Sequence, residues 1–191
     1  MSYVTNKFDD RVVDILKQGG VGLLPSDTVY GLSCVALDKV AVARLHRIKE
    51  RSRYKPFIVL ISNLEMLNLL SIDTGDVNFI KKYWPGALTV IFDAPDSPNW
   101  LNRGLGSLAV RMPAKPELIE LIDKCGPIIS TSANLENQPT FDSAERAREA
   151  FGDKLDFYVD IGEIKGKLPS TIVKLGEGKL EMVRQGAVDI D

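Results

Sequence analysis

Histidine is almost missing from this chain of 191 residues: His46 is its one imidazole. That excludes a histidine-built zinc or iron centre and leaves a serine nucleophile a single candidate base. Cysteine is as scarce. Cys34 and Cys125 lie far apart and form no CxxC pair, so neither a disulfide framework nor a zinc knuckle is expected. No apolar run approaches the roughly 18 residues that span a bilayer. The polar opening through Asp9 and Asp10 is unlike a secretory leader. Basic excess is lacking too. The 24 Lys and Arg against 26 Asp and Glu give a net charge of −2, which excludes a general nucleic-acid coat but allows a local basic patch. Neither a GxxxxGK[ST] phosphate loop nor a GxGxxG turn is present. What is left, 45% apolar and 26% charged, is the composition of a cytoplasmic, metal-poor globular protein able to bury a core without staples.

Periodicity supplies the elements. Phe8, Val12, Val13, Ile15 and Leu16 recur at helical spacing, with Asn6 as the cap and Gly19-Gly20 as the stop. Residues 21–24 form a short apolar strand, broken at Pro25-Ser26-Asp27 and resumed over 29–36. Asp38 caps a helix that buries Ala41, Leu45 and Ile48 and ends near Lys49. Residues 57–61 read as a strand, 64–70 and 76–83 as helices, and Trp84-Pro85-Gly86 as a turn. Strands over 87–92 and 108–112 flank a loop rich in Pro, Asn and Gly. A helix over 116–124, a strand over 127–130, a Ser143-capped helix to Phe151 and three late strands (157–160, 171–175, 180–184) finish the chain. Strands alternate with helices and several are apolar throughout, which predicts one α/β domain over 1–191, its sheet covered on both faces.

Three features carry candidate chemistry. His46 sits among Arg44, Arg47 and Lys49, which disfavour an imidazolium, so it reads as an exposed helical residue rather than a base. The segment from Arg44 to Lys55 holds Arg44, Arg47, Lys49, Arg51, Arg53 and Lys55 against the single acid Glu50. It reads either as cations converging on a polyphosphate or as a solvated charged face. Two hydroxyl-rich breaks follow apolar runs: Ser26-Asp27-Thr28 and Ser130-Thr131-Ser132-Ala133-Asn134. Such loops either bind a small polar ligand at strand ends or merely satisfy turns.

Seven segments, in order, resemble the YrdC-like family of threonylcarbamoyl-AMP synthases in its single-domain form. They are Pro25-Ser26-Asp27-Thr28-Val29-Tyr30-Gly31-Leu32, Lys49-Glu50-Arg51 with Lys55-Pro56, Trp84-Pro85-Gly86-Ala87-Leu88-Thr89, Ala109-Val110-Arg111-Met112-Pro113, Ser132-Ala133-Asn134, Ser170-Thr171-Ile172-Val173 and Arg184-Gln185-Gly186-Ala187. The resemblance implies a twisted mixed β-sheet flanked by helices, opening into a concave cavity. It implies a reaction joining L-threonine, bicarbonate (or CO₂) and ATP, with Mg²⁺ brought by ATP, into threonylcarbamoyl-AMP and pyrophosphate. Downstream, tRNA and other proteins of the same modification would receive the threonylcarbamoyl group at adenosine 37. By the same resemblance Lys49 and Arg51 are catalytic. Arg51, Lys55, Ser107, Ser132, Asn134 and Arg184 hold the nucleotide, and Thr28, Arg111, Thr131 and Ser170 hold threonine. Ser26 stands where the family has threonine, and Leu135-Glu136-Asn137-Gln138 replaces a usual Ser-Gly. The alternatives are a protein of the same fold that binds double-stranded RNA in ribosome maturation, or a paralogue without synthase activity. The inactive YciO-like group lacks the K-x-R and S-A-N segments that this chain carries.

Overall fold

Asp9, not Asn6, begins the first helix: its Oδ1 accepts the Val12 amide at 3.0 Å. The computed structural model describes residues 1–49, 57–73, 78–135, 138–176 and 179–190. Ahead of α1 (Asp10–Lys17) runs an edge strand, β1 (Tyr3–Thr5), too short and polar for periodicity to reveal. The apolar runs become β2 (Gly22–Pro25) and β3 (Tyr30–Val35), and Asp38 caps α2 (Lys39–Lys49) through the Val40 and Ala41 amides. Then come β4 (Ile58–Leu60), α3 (Met66–Leu69), β5 (Leu88–Asp93), α4 (Asn99–Asn102), β6 (Ser107–Arg111) and α5 (Pro116–Cys125). The chain closes with β7 (Ile128–Ser132), α6 (Ala144–Phe151), β8 (Phe157–Val159), β9 (Thr171–Gly176) and β10 (Lys179–Arg184).

The differences from expectation have local causes. The helix expected over 76–83 is a 3₁₀ turn, Asn78–Lys82, while residues 74–77 lie outside those described. The one over 64–70 is trimmed to α3, where Glu65 makes no side-chain cap and the Met66 amide goes to Asn63 Oδ1 at 3.2 Å. The loop before β6 holds α4, fastened where Asn102 Nδ2 donates to the carbonyls of Ala94 and Ser97. The hydroxyl-rich Ser130-Thr131-Ser132 is not a break but the end of β7.

One mixed sheet organises the described strands in the order β1-β8-β2-β3-β7-β4-β6-β5-β9-β10. Every residue of β2 and β8 is buried, as for strands covered on both faces. Helix α2 packs on β3 and α4, and α1 on β3 and α5. Register places Ser33, Ser130, Ile58 and Ala109 in one row across β3, β7, β4 and β6, with Leu60 and Arg111 paired two residues on. Equivalent positions in a row share a face, and this face floors the site. No described helix is long and apolar enough to cross a membrane.

Candidate active site

The β2–β3 turn is held by its own serine. Ser26 Oγ donates to the Val29 carbonyl at 2.8 Å and accepts the Thr28 and Val29 amides, each at 3.2 Å. The Ser26 hydroxyl is thus spent on the turn itself. The turn presents Thr28, whose Oγ1 lies 3.0 Å from Ser26 Oγ and is buried.

Arg111, the last residue of β6, reaches this turn. Its Nε donates to the Gly86 carbonyl (2.9 Å), Nη1 to Thr28 Oγ1 (2.9 Å) and Nη2 to Asp27 Oδ2 (2.6 Å). Burial pushes the guanidinium's pKa down, and the neighbouring Asp27 carboxylate pulls it back up. A guanidinium carries five N–H donors. Three go to protein, so each Nη keeps one N–H for a ligand. Asp27 escaped the sequence reading because turn chemistry already accounts for an Asp beside Ser and Thr. Its place inside the Pro25–Leu32 segment was the available signal.

Arg111 borders a cavity of about 300 Å³, floored by Ile58, Leu60, Ala109 and Ile172 and rimmed by Ser26, Thr28, Ser130, Thr131, Ser132, Ser170 and Arg184. Ser170 Oγ lies 2.8 Å from Thr89 Oγ1, and Arg184 Nη2 donates to the Ser170 carbonyl at 2.8 Å. Partial burial lowers the Arg184 pKa. Thr89, fully buried, is a second residue that sequence reasoning missed. It ends the Trp84–Thr89 segment and reads there only as part of the strand over 87–92. A larger cavity, about 480 Å³ between Val4, Arg148 and Tyr158, contains none of the expected residues.

Lys49, at the end of α2, is buried against the end of β7. Its Nζ donates to the Ser132 carbonyl (2.5 Å), the Asn134 carbonyl (2.7 Å) and Asn134 Oδ1. Ser132 Oγ also donates to Asn134 Oδ1, at 2.7 Å, and Asn134 Nδ2 donates to the carbonyls of Leu135 and Gln138. The ammonium therefore shapes the Ser132–Asn134 turn.

Of the expected residues, Thr28, Arg111, Thr131, Ser132, Ser170 and Arg184 line one cavity. Lys49 and Asn134 adjoin it through the Ser132 turn. Ser107 shares a strand face with Ala109 and Arg111 but is not among the lining side chains. Arg51 and Lys55 fall in 50–56, outside the described residues. Among the described residues of the basic segment, Arg44 and Lys49 point to different partners. Arg44 turns away, with Nη1 2.5 Å from Asp156 Oδ2 and Nη2 donating to the Lys154 carbonyl. His46 is not exposed but half-buried, its ring stacked 4.1 Å from that of Phe57.

A family model named Sua5/YciO/YrdC, described as "Telomere recombination", matches residues 14–186. The chain is 37% identical to the threonylcarbamoyl-AMP synthase of Enterobacter sp. (strain 638), over 92% of this chain and 94% of that protein. Its fold is similar to P. abyssi Sua5 complexed with L-threonine (TM-score 0.88, 30% identity), covering 97% of this chain and 58% of that one. It is also similar to E. coli YciO (TM-score 0.84, 26% identity), covering 99% and 98%.

Proposed function

Because the chain belongs to the Sua5/YciO/YrdC family, we propose that it is a threonylcarbamoyl-AMP synthase: it joins L-threonine, bicarbonate and ATP and releases pyrophosphate. The observation that carries this is Arg111, fixed by three protein acceptors with two N–H groups left over, at the edge of a hydroxyl-rimmed cavity. The fold around it is similar to one that has been solved with L-threonine.

The chemistry asks three things of such a site. Threonine's amine must become a carbamate, which water destroys, so it needs a recessed polar pocket. The carbamate oxygen must then align with the α-phosphorus, a positioning task. Charge growing on the phosphates must meet fixed donors and cations. Arg111 takes the threonine carboxylate, while Thr28, Thr131 and Ser170 take its other polar groups. Ser132, Asn134 and Arg184 take the nucleotide, and Lys49 acts by shaping their turn. Arg51, Lys55 and Ser107 complete the nucleotide contacts in this reading. In this reading bicarbonate gives CO₂ and hydroxide, the neutral amine adds to the CO₂, and the hydroxide takes the proton released as the carbamate forms, leaving water.

Among the described residues no group of three or more His, Cys, Asp or Glu could hold a metal ion. Mg²⁺ accordingly enters this reading on ATP's own phosphate oxygens and water, not on a protein carboxylate set. The product's consumers are tRNA and further proteins of the t⁶A modification, in the cytoplasm.

The test is pyrophosphate release by the purified chain. Release is expected only when threonine, bicarbonate and Mg-ATP are all present. Double-stranded RNA binding without that dependence, or release indifferent to threonine, overturns the assignment.

A further inference from the structure

We propose that Asp27, by holding the Arg111 guanidinium in place, is the positioning residue that sets threonine affinity. The inference rests on the synthase reading for the identity of the ligand, though not for the clamp itself. Asp27 Oδ2 accepts two donors at once, Arg111 Nη2 at 2.6 Å and the Ala114 amide at 3.1 Å. The first fixes the end of β6's arginine; the second anchors the carboxylate to the backbone entering α5. The Asp27 carbonyl is itself held by Lys167 Nζ at 3.0 Å. The turn carrying Asp27 is therefore braced from two further segments of the chain.

An arginine has four rotatable bonds before its planar fork, and a fork that swings cannot hold its remaining N–H groups toward one ligand. Gly86 and Thr28 alone fix Nε and Nη1 through neutral acceptors. Asp27 adds the charged acceptor, and charge-assisted bonds are the strong ones. The remaining carboxylate oxygen, Asp27 Oδ1, is buried and has no hydrogen-bond partner. A lone turn has no structural need for a second, unsatisfied carboxylate oxygen, since one acceptor oxygen would serve the Ala114 amide. The full charge is explained by the guanidinium opposite it: the pair's side chains are 15% and 5% exposed, and neither ion would be tolerated there alone. The neutralised pair then meets threonine's carboxylate through direction rather than excess charge.

The experiment compares Asp27→Asn, which keeps the shape and removes the charge, with Asp27→Ala and Asp27→Glu. Threonine and ATP titrations are run on each protein that shows the parent's circular dichroism. In Asp27→Asn the threonine Kd and KM should rise about tenfold or more, with the ATP KM within about twofold of the parent. Asp27→Ala should lose more, and Asp27→Glu should recover part of the loss by restoring the charge. An equal loss for both substrates would reduce Asp27 to a structural role. Unchanged threonine binding in a folded Asp27→Asn would refute the proposal. A ligand-free readout separates this from the synthase reading: the Arg111 Nε–H resonance in a ¹⁵N spectrum. It should exchange slowly with solvent in the parent and about tenfold faster in Asp27→Asn. If the parent fails to release pyrophosphate with threonine, the synthase reading falls while that exchange rate still decides the clamp. Equal rates in both proteins would sink the clamp.

Discussion

Arg111 and Lys49 are both buried cations, 4% and 5% exposed, yet they are held in opposite ways. Arg111 faces a carboxylate, a hydroxyl and a carbonyl and still retains a free pair of N–H groups. Lys49, among the described residues, donates to three oxygens of the Ser132–Asn134 turn and so shapes that turn. A planar fork can be anchored and bind at the same time, since its five donors exceed the three acceptors that hold Arg111. On the proposed reading, the amino-acid side of the cavity is a prebuilt clamp. On the same reading, the nucleotide side is a shaped turn beside the more open Arg184.

The harshest test of that contrast is Arg111→Ala. It should lower threonine-dependent kcat/KM by about 10²- to 10³-fold. It should also cost about 3–5 kcal/mol of stability, because Asp27 is left charged and buried without its partner. Denaturant titration alongside kinetics reads both. A variant as stable as the parent would mean that the ion pair is not a structural element.

Lys49→Met comes next. Three oxygens lose a charged donor, so a destabilisation of about 2–3 kcal/mol is expected. The ATP KM should rise about tenfold, with threonine binding within about threefold. If threonine suffers as much as ATP, the two sides of the cavity are one unit and the contrast fails.

Ser170→Ala probes the clamp side alone. Valine is threonine without the hydroxyl, so a polar pocket rejects it by leaving its own groups unpaired. Serine lacks only a methyl and is penalised by about 1–3 kcal/mol. The variant should narrow the threonine-over-valine gap about five- to thirtyfold and barely change the gap over serine. Equal use of valine and threonine by the parent would remove the hydroxyl loops from the amino-acid pocket.

The mildest effect is that of salt. Raising ionic strength from about 0.1 to about 0.5 M shortens the Debye length to a few ångströms. ATP affinity should fall several-fold, since Arg184 is exposed, while threonine binding at the neutralised Asp27–Arg111 pair should change less than about twofold. Equal salt sensitivity of both ligands would argue against a neutral clamp.

Where the pattern was local, the sequence spoke clearly. Asp38 and Ser143 cap their helices as expected, and Pro116 opens α5. Ser130–Ser132 misled because hydroxyls favour turns only in the absence of partners. Here β3 pairs with all three residues and β4 with Ser130. Arg44 looked like part of a phosphate cluster because spacing cannot say which cation meets an acid 112 residues away, as Arg44 meets Asp156. Asp27 and Thr89 were visible within quoted segments, but nothing in their spacing marks a residue whose partner comes from another strand.

The amino-acid sequence by itself determined the α/β alternation and the family, because these rest on periodicity and ordered motifs. Only the tertiary structure decided that Thr28 touches Arg111. Relative to the row Ser33–Ser130–Ile58–Ala109, Thr28 lies to one side and Arg111 to the other. In a flat sheet they would stand about 20 Å apart along the strands. The right-handed twist lifts diagonally opposite corners of a sheet toward the same face, and the two side chains meet at 2.9 Å. That closure is a property of the whole sheet, and no window of sequence contains it.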